Sequence, residues 1–163
     1  DYLLGEENKG LSIMLHGLNA ERTSTCAQYL GICRSAFEVA TKYAAERVQF
    51  GEPIRNFQGV NFKIAEMYAD IEAMRMMTLR AARMLDAGLD AGKEVAAAKF
   101  FCADRAVEVC TKAMQVVGGR GYTTDYPIER YYRDIRSGQI AAGSSEMSRR
   151  TVQNLIYREL GYR

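Results

Sequence analysis

The chain has 163 residues, of which 48% are hydrophobic and 26% are charged, a balance typical of a folded globular protein rather than a disordered one. Its net charge of +2 is too small to indicate a nucleic-acid partner, and no apolar run is long enough to cross a bilayer, so we expect neither nucleic acid nor a membrane as a partner. The length is sufficient for one domain with a sizeable core.

The four cysteines and the single histidine offer no metal site. No CxxC pair occurs, and the potential ligands are too few and too widely spaced for zinc. Cys26 and Cys33 lie seven residues apart, two turns along one helical face, so we expect buried, reduced thiols in an intracellular compartment. The sequence opens on Asp without a secretory signal, and we therefore expect a processed or truncated product.

Three long segments repeat apolar residues with the period of an α-helix, and the chain contains only two prolines. The first stripe comprises Cys26, Leu30, Cys33, Phe37, Ala40 and Ala44. The second comprises Val60, Ile64, Met67, Ile71, Met74, Thr78, Ala81 and Leu85. The third comprises Val95, Ala98, Cys102, Ala106, Val109, Ala113 and Val116. All three stripes predict core packing and carry no information about function.

After the third stripe the sequence predicts a glycine-rich connection, "GGRGYTTDYP", a short charged helix over residues 128–136, and a last helix over about 144–160. Long helices joined by short connections predict an all-α fold, an up-and-down four-helix bundle. We assign the bundle to residues 11–163 and treat residues 1–10 as a lead-in segment.

Four segments contain residues that core packing does not explain. "YAAERVQFGEPIRNFQ" ends one helix with Arg47 and opens the next with Gln58, and "QVVGGRGYTTDYP" places three glycines within four residues. "QIAAGSSEM" has the composition of a helix N-terminus that could meet a ligand, and "GLNAERTST" carries the dipeptide Glu21-Arg22. Taken singly, each segment also fits an ordinary helix end, an N-cap or a solvated charge pair.

In this order and at this spacing, the segments resemble one family. "YAAERVQFGEPIRNFQGVNFKIAEM", "AMQVVGGRGYTTDYPIERYYRDIR" and "GSSEM" are similar to the carboxy-terminal domain of the flavin-dependent acyl-CoA dehydrogenases, over essentially the whole chain. The family's subunit has an amino-terminal helical domain, a β-domain and this helical bundle. The resemblance implies that residues 1–10 lead in from a β-domain that the chain lacks, and that the chain alone is inactive.

The resemblance implies a reaction as well as a fold. A carboxylate removes the α-proton of an acyl-CoA thioester while hydride leaves the β-carbon for FAD, and the product is the trans-2-enoyl-CoA. Two hydrogen-bond donors at the thioester oxygen are needed to stabilise the developing enolate. The base also needs shielding from water, which favours its protonated form.

The cofactor implied by the resemblance is FAD, shared between subunits of a homodimer or homotetramer. The positions that match the family's FAD contacts are Arg47, Gln58, Gln115, Val116, Val117, Gly118, Gly119, Ser144, Ser145 and Glu146. Arginine and planar amide donors suit a pyrophosphate, and glycines permit close backbone approach.

The catalytic base is where the sequence departs from the commonest family pattern. Many members carry Glu directly before the glycine of the "GSSEM"-like turn, whereas here that residue is Ala142. A minority, resembling the isovaleryl-CoA and long-chain enzymes, place the base in an "ER" dipeptide on the first long helix. We therefore predict Glu21 as general base, with the Ala142 amide and a ribityl hydroxyl of FAD as donors to the thioester oxygen.

The resemblance also implies an acyl pocket, partners and a location. The substrate-binding positions it implies are Asn19, Ala20, Arg22, Ala142 and Gly143. An electron-transfer flavoprotein is the expected electron acceptor, in the cytoplasm of a bacterium or the mitochondrial matrix of a eukaryote. Enoyl-CoA reductases and acyl-CoA oxidases on the same scaffold remain alternatives, as does a non-catalytic helical oligomerisation module.

Overall fold

The computed structural model describes residues 2–162, and six helices account for most of them. The helices are α1 (Gly10–Glu46), α2 (Gln58–Asp86), α3 (Gly92–Val117), α4 (Gly119–Tyr122), α5 (Ile128–Arg136) and α6 (Ser145–Glu159). α1, α2, α3 and α6 are the long helices of the bundle, and α4 is a single turn. The predicted all-α fold is confirmed, and the short charged helix has the predicted bounds.

Helices α1 and α3 run parallel at the centre of the bundle. The Sγ of Cys33 in α1 lies 3.9 Å from the carbonyl oxygen of Ala106 in α3, and Tyr43 near the end of α1 packs against Tyr126 beyond the end of α3. The two helices therefore run in the same direction. α2 connects the end of α1 to the start of α3 and so runs in the opposite direction.

Helix α6 completes the bundle by packing antiparallel to α3. Lys93, at the start of α3, forms an ion pair with Glu159 at the end of α6, whereas Asp104 in mid-α3 accepts a hydrogen bond from Ser145 at the start of α6. The four long helices thus alternate in direction, which is the predicted up-and-down order.

The predicted apolar stripes form the core. Every member of the third stripe is buried, and the second stripe is buried from Met67 to Ala81 with half-buried ends. In the first stripe Leu30 and Phe37 are only half-buried, while Tyr29 and Ala36, outside the stripe, are buried. A helix has 3.6 residues per turn, so the buried face includes positions that a simple four-and-three step omits.

The connection between α1 and α2 contains a small hairpin that the sequence pattern did not predict. Strand β1 (Val48–Gln49) pairs antiparallel with β2 (Glu52–Pro53). Phe50 and Gly51 form the turn with φ values of +53° and +87°, the combination of a type I′ hairpin. Strands of two residues are too short to produce a detectable alternation of polar and apolar side chains.

The first turns of α1 precede its buried face. α1 begins at Gly10, one residue before the predicted start of the bundle, and its first buried residue is Cys26. The exposed apolar side chains in the first two turns are Leu11, Ile13, Met14 and Leu15. Asp1 and Arg163, at the outer limits of the two predicted ranges, lie outside the described residues. Within residues 2–162, no helix combines the length and hydropathy needed to cross a bilayer.

Candidate functional site

The segment "QIAAGSSEM" forms a tight turn that leads into α6. Ala142 and Gly143 both adopt left-handed backbone conformations, with φ values of +53° and +83°. For alanine this conformation costs about 1 kcal/mol or more, so surrounding contacts must hold it in place. Ser144 then caps α6 by accepting a hydrogen bond from the amide of Met147 at 3.3 Å.

Two cationic side chains hold the carbonyl groups of this turn. Arg22 of α1 donates from Nε to the carbonyl oxygen of Ala142 at 3.1 Å, across 120 positions of sequence. Lys99 of α3 donates from Nζ to the carbonyl oxygen of Gly138 at 3.0 Å and also to that of Gly143. The turn is therefore fixed to both central helices of the bundle.

An anionic side chain, Asp104, fixes both ends of the same segment to α3. It accepts hydrogen bonds from Gln139 Nε2 at 2.8 Å and from Ser145 Oγ at 3.1 Å, and it also pairs with Arg149. The Ser145 hydroxyl donates this hydrogen bond to Asp104, and the residue is only 2% exposed. The Ser145 side chain therefore faces the bundle interior.

The electrostatic environment of the turn combines these charges. Burial lowers the pKa of Lys99, and the neighbouring Arg22 guanidinium lowers it further, while Asp104 and Glu146 act in the opposite direction. Glu146 is exposed, and hydrogen bonds from its own amide and from the Ser144 hydroxyl lower its pKa. Glu146 is thus stabilised as a carboxylate at the start of α6.

The amide groups of the turn remain available to a ligand. Among residues 2–162, no acceptor is found for the amides of Ala142, Gly143 and Ser144, although their neighbouring carbonyls are bonded. In a trans peptide the N–H points away from the preceding C=O, so fixing the carbonyls of Ala142 and Gly143 directs the amides of Gly143 and Ser144 away from the cations. Free, oriented amides can stabilise a developing oxyanion.

The predicted base and its neighbours lie on α1 directly beside this turn. Glu21 is exposed and forms no side-chain hydrogen bond or ion pair in the described part of the chain, and it immediately precedes the Arg22 that contacts Ala142. Asn19 is half-buried and Ala20 is exposed. The structure therefore brings the predicted substrate-binding segments of α1 and of the turn together.

The predicted FAD contacts Arg47 and Gln58 lie at the opposite end of α1. Arg47 is the C-cap residue of α1, and its carbonyl accepts a hydrogen bond from the amide of Ile54 at 2.8 Å, which closes the hairpin. Gln58 is the first residue of α2. Both side chains are exposed and, within residues 2–162, neither takes part in a hydrogen bond or an ion pair.

The other predicted FAD segment ends α3 at the same end of the bundle. Gln115 is exposed, whereas the side chains of Val116 and Val117 are buried in the core, which leaves only their backbone for a ligand. Gly118 has φ +69° and ψ −148°, a conformation essentially restricted to glycine, and both it and Gly119 are exposed. A side chain at either position would meet open space.

The predicted residues thus form two clusters rather than one. We call Glu21, Arg22 and residues 142–146 the turn cluster, and Arg47, Gln58 and residues 115–119 the hairpin cluster. Positions 21 and 47 are separated by 26 residues of α1, which at 1.5 Å per residue is roughly 39 Å. In the described part of the chain, no group of His, Cys, Asp and Glu side chains has the arrangement of a metal site.

Lys99 and Asp104 were not among the predicted residues, although they anchor the turn cluster. Both lie in "AAAKFFCADRA", a segment that sequence reasoning treated as core helix. A lysine within the apolar stripe of a central helix was the available signal, because lysine is almost never fully buried without polar partners.

The comparisons with known proteins agree on one family. Residues 8–156 match the sequence profile described as "Acyl-CoA dehydrogenase, C-terminal domain". An acyl-CoA dehydrogenase of Bacillus subtilis (strain 168) is 43% identical over 154 residues, which cover 94% of this chain and 41% of that protein. The CarC subunit of the caffeyl-CoA reductase–Etf complex of Acetobacterium woodii is 37% identical over 156 residues, covering 96% of this chain and 41% of CarC.

A solved structure shares the fold closely. The butyryl-CoA dehydrogenase of Megasphaera elsdenii superposes with a TM-score of 0.92 at 38% identity, covering 94% of this chain and 40% of that one. The chain therefore spans about two fifths of the length of the relatives it matches.

Proposed function

This chain belongs to the acyl-CoA dehydrogenase family, whose carboxy-terminal domain it forms, and on that premise we propose that the complete protein oxidises an acyl-CoA thioester to the trans-2-enoyl-CoA. The observation that carries this proposal is the hydrogen bond from Arg22 to the carbonyl oxygen of Ala142. It joins the α1 segment that bears Glu21 to the turn that has Ala142 directly before its glycine. A base supplied from α1 can therefore act on a substrate held at the turn.

In this proposal Glu21 takes the α-proton onto a carboxylate oxygen, and the turn binds the thioester. The amide of Ala142 donates to the thioester oxygen, and this interaction strengthens as negative charge develops there. Ala142 has only a methyl side chain and accepts no proton. The backbone amide of Glu146 and the Ser144 hydroxyl lower the pKa of the Glu146 carboxyl, which makes it a weaker base and suits a contact at the start of α6.

The donors of the hairpin cluster suit a dinucleotide, and FAD, when bound, would accept the hydride. The exposed Arg47 guanidinium can pair with a pyrophosphate, and the amides of Gln58 and Gln115 can donate to ribose or phosphate oxygens. The backbone at Gly118 and Gly119 is open to close approach because no Cβ projects there. These features support Arg47, Gln58 and residues 115–119 as the FAD contacts of this chain.

The roughly 39 Å between the two clusters supports a homo-oligomer, in which the hairpin cluster of one subunit serves the flavin that lies at the turn cluster of another. The electron acceptor we propose is an electron-transfer flavoprotein, since the related CarC subunit is named as part of an Etf complex. The compartment we propose is the bacterial cytoplasm or the mitochondrial matrix, according to the source.

A second candidate is the reverse reaction, reduction of an enoyl-CoA. The similarity to CarC, a subunit of a caffeyl-CoA reductase complex, favours it. The same residues would act with the proton travelling from Glu21 to the α-carbon. Both directions require a carboxylate at position 21, so the test of that residue applies to each.

The test uses the complete protein as the cell makes it, with flavin bleaching by butyryl-CoA, isovaleryl-CoA and palmitoyl-CoA as the assay. We expect a yellow protein and bleaching by at least one thioester. Glu21→Gln should then slow bleaching by about 100-fold or more, since it removes a general base while keeping the size of the side chain. The matched control is Glu38→Gln, an exposed carboxylate on the same helix that should leave the rate unchanged.

Adding Ala142→Glu to Glu21→Gln returns a carboxylate to the position most family members use, and we expect part of the lost rate to return. Near-normal bleaching by Glu21→Gln would contradict the assignment of the base. A colourless protein that takes up no FAD would contradict the enzymatic proposal and favour a non-catalytic module. Oxidation of the reduced enzyme by a dye but not by oxygen would separate a dehydrogenase from an oxidase.

A further inference from the structure

Lys99 is a buried cation that the proposed reaction does not yet use. Among residues 2–162 it is the only charged side chain in the buried class, with no exposed surface. It lies in the second turn of α3 between Ala98, which is buried, and Phe100, which is half-buried. Burial of an ammonium group is costly unless its hydrogen atoms are bonded.

The ammonium group of Lys99 is bonded at two points of one short segment. It donates to the carbonyl oxygen of Gly138 at 3.0 Å and also to that of Gly143. The backbone segment between these two carbonyls is therefore held at both ends by one side chain. Within that span, the amides of Ile140 and Ala141 both bond the carbonyl oxygen of Ser137 at 2.9 Å. The span is therefore a closed loop anchored on Lys99.

Neighbouring anchors leave the loop little freedom. Asp104, five positions further along α3, holds the side chains of Gln139 and Ser145, and Arg22 holds the carbonyl of Ala142 from α1. Each bonded carbonyl turns inward, and the amides of Ala142, Gly143 and Ser144 are left without an acceptor in the described part of the chain.

We propose that Lys99 is a positioning residue for the reaction proposed above: by fixing the Gly138 and Gly143 carbonyls, it holds both ends of the loop whose backbone carries the Ala142 amide, the donor to the thioester oxygen. The inference rests on the proposed function for its catalytic consequence, but the anchoring of the loop can be measured without substrate. Core stability alone does not account for an ammonium group here, because an apolar side chain of the same length would fill the slot without the desolvation cost.

The experiment compares Lys99→Met with Lys112→Met in the complete protein. Methionine has nearly the length of lysine but no donor. Lys112 lies on the same helix, 13 positions or roughly 20 Å away, and pairs with Glu66 and Asp70 rather than with the turn. Flavin content and thermal midpoint are measured first, so that general damage to the fold is recorded for both variants.

The first readout is hydrogen exchange in the substrate-free protein. Lys99→Met should accelerate exchange of the Ile140 and Ala141 amides by about tenfold or more, while Lys112→Met should leave both unchanged. The second readout has two quantities, the limiting rate of flavin bleaching and the dissociation constant of the thioester. Both are measured with whichever of the three thioesters bleaches the wild-type flavin fastest. Lys99→Met should lower the limiting rate about 100-fold and change the dissociation constant by less than about threefold.

Unchanged exchange at Ile140 and Ala141 would overturn the proposal, and so would a limiting rate within about threefold of the wild type. If no thioester bleaches the wild-type flavin, the proposed function fails, and the exchange measurement alone decides whether Lys99 positions the turn. Should Lys99→Met not fold, Lys99→Gln replaces it, since its shorter amide cannot span both carbonyls, and the same two criteria apply.

Discussion

Two serines at the start of α6 differ in the use of their hydroxyl groups, although both are buried. Ser145 is 2% exposed and donates to Asp104 at 3.1 Å. Ser148 has no exposed surface, and among residues 2–162 its hydroxyl has no partner. A buried hydroxyl without a partner has lost its bonds to water and gained nothing in exchange.

We therefore expect alanine substitutions at the two positions to have opposite signs. Ser148→Ala should raise the free energy of unfolding by about 1 kcal/mol, because it removes an unsatisfied polar atom. Ser145→Ala should lower it by about 2 kcal/mol, because it leaves Asp104 without one donor. Urea denaturation of the two variants, followed by circular dichroism at 222 nm, checks both values, and a loss of stability in Ser148→Ala would contradict the first.

The residue scale also shows what the sequence could not predict. The left-handed Ala142 cannot be predicted from its side chain, because alanine disfavours that conformation and tertiary contacts from Arg22, Lys99 and Asp104 hold the turn. Lys99 itself was hidden inside an alanine-rich helix, where its partners come from a segment about 40 positions later. Predicting such contacts requires the tertiary structure.

At the scale of elements, the close packing of α1 against the 3₁₀ turn at Ser137–Gln139 depends on one glycine. A Cβ at Gly138 would lie 2.6 Å from Tyr29 Cζ and 2.8 Å from its hydroxyl oxygen. The Tyr29 ring is 6% exposed and is packed in the core, so it has little room to move. The same glycine presents its carbonyl to Lys99.

Gly138→Ala should therefore destabilise the chain by about 1–3 kcal/mol through overpacking. The matched control is Gly31→Ala on α1, where a Cβ meets open space and replacing a mid-helix glycine should stabilise by about 0.5–1 kcal/mol. Urea unfolding midpoints of both variants test the pair. Equal stability of Gly138→Ala and the wild type would show that Tyr29 yields easily.

The long helices were predictable because their apolar stripes persist over many turns, and periodicity is the most reliable local signal. The stripe from Val95 to Val116 is buried throughout. The hairpin at Val48–Pro53 was not predictable, since two-residue strands show no period. The turn of this hairpin was predictable, because Phe50-Gly51 includes the glycine that such a turn favours.

At the scale of the whole molecule, the turn cluster and the hairpin cluster lie at opposite ends of the parallel pair α1 and α3. Tyr43, near the end of α1, packs edge-on against Tyr126 beyond the end of α3, with ring centroids 5.5 Å apart. Arg47 thus lies near the end of α3, whereas Glu21 lies near Lys99 and the start of α3. The two clusters are therefore separated along the length of the bundle.

This arrangement predicts complementation between subunits. Glu21→Gln and Arg47→Ala should each abolish most activity alone, but co-refolded in equal amounts they should recover about a quarter of the wild-type sites, because half the dimers are mixed and each carries one intact site. Bleaching amplitude with the best thioester measures the recovered fraction. If both clusters served the same flavin within one subunit, mixing would restore nothing.

The pairing of α1 with α3 also determines how the thiols behave. All four cysteines are free and buried, and hydrogen bonds between the helices, together with burial, raise the pKa of Cys26 and of Cys33. Because all four sulfurs are buried, an alkylating reagent reaches them only when the packing between the helices opens. The rate of cysteine modification in the native protein therefore measures how often its central helix pair opens. The measurement needs no introduced label.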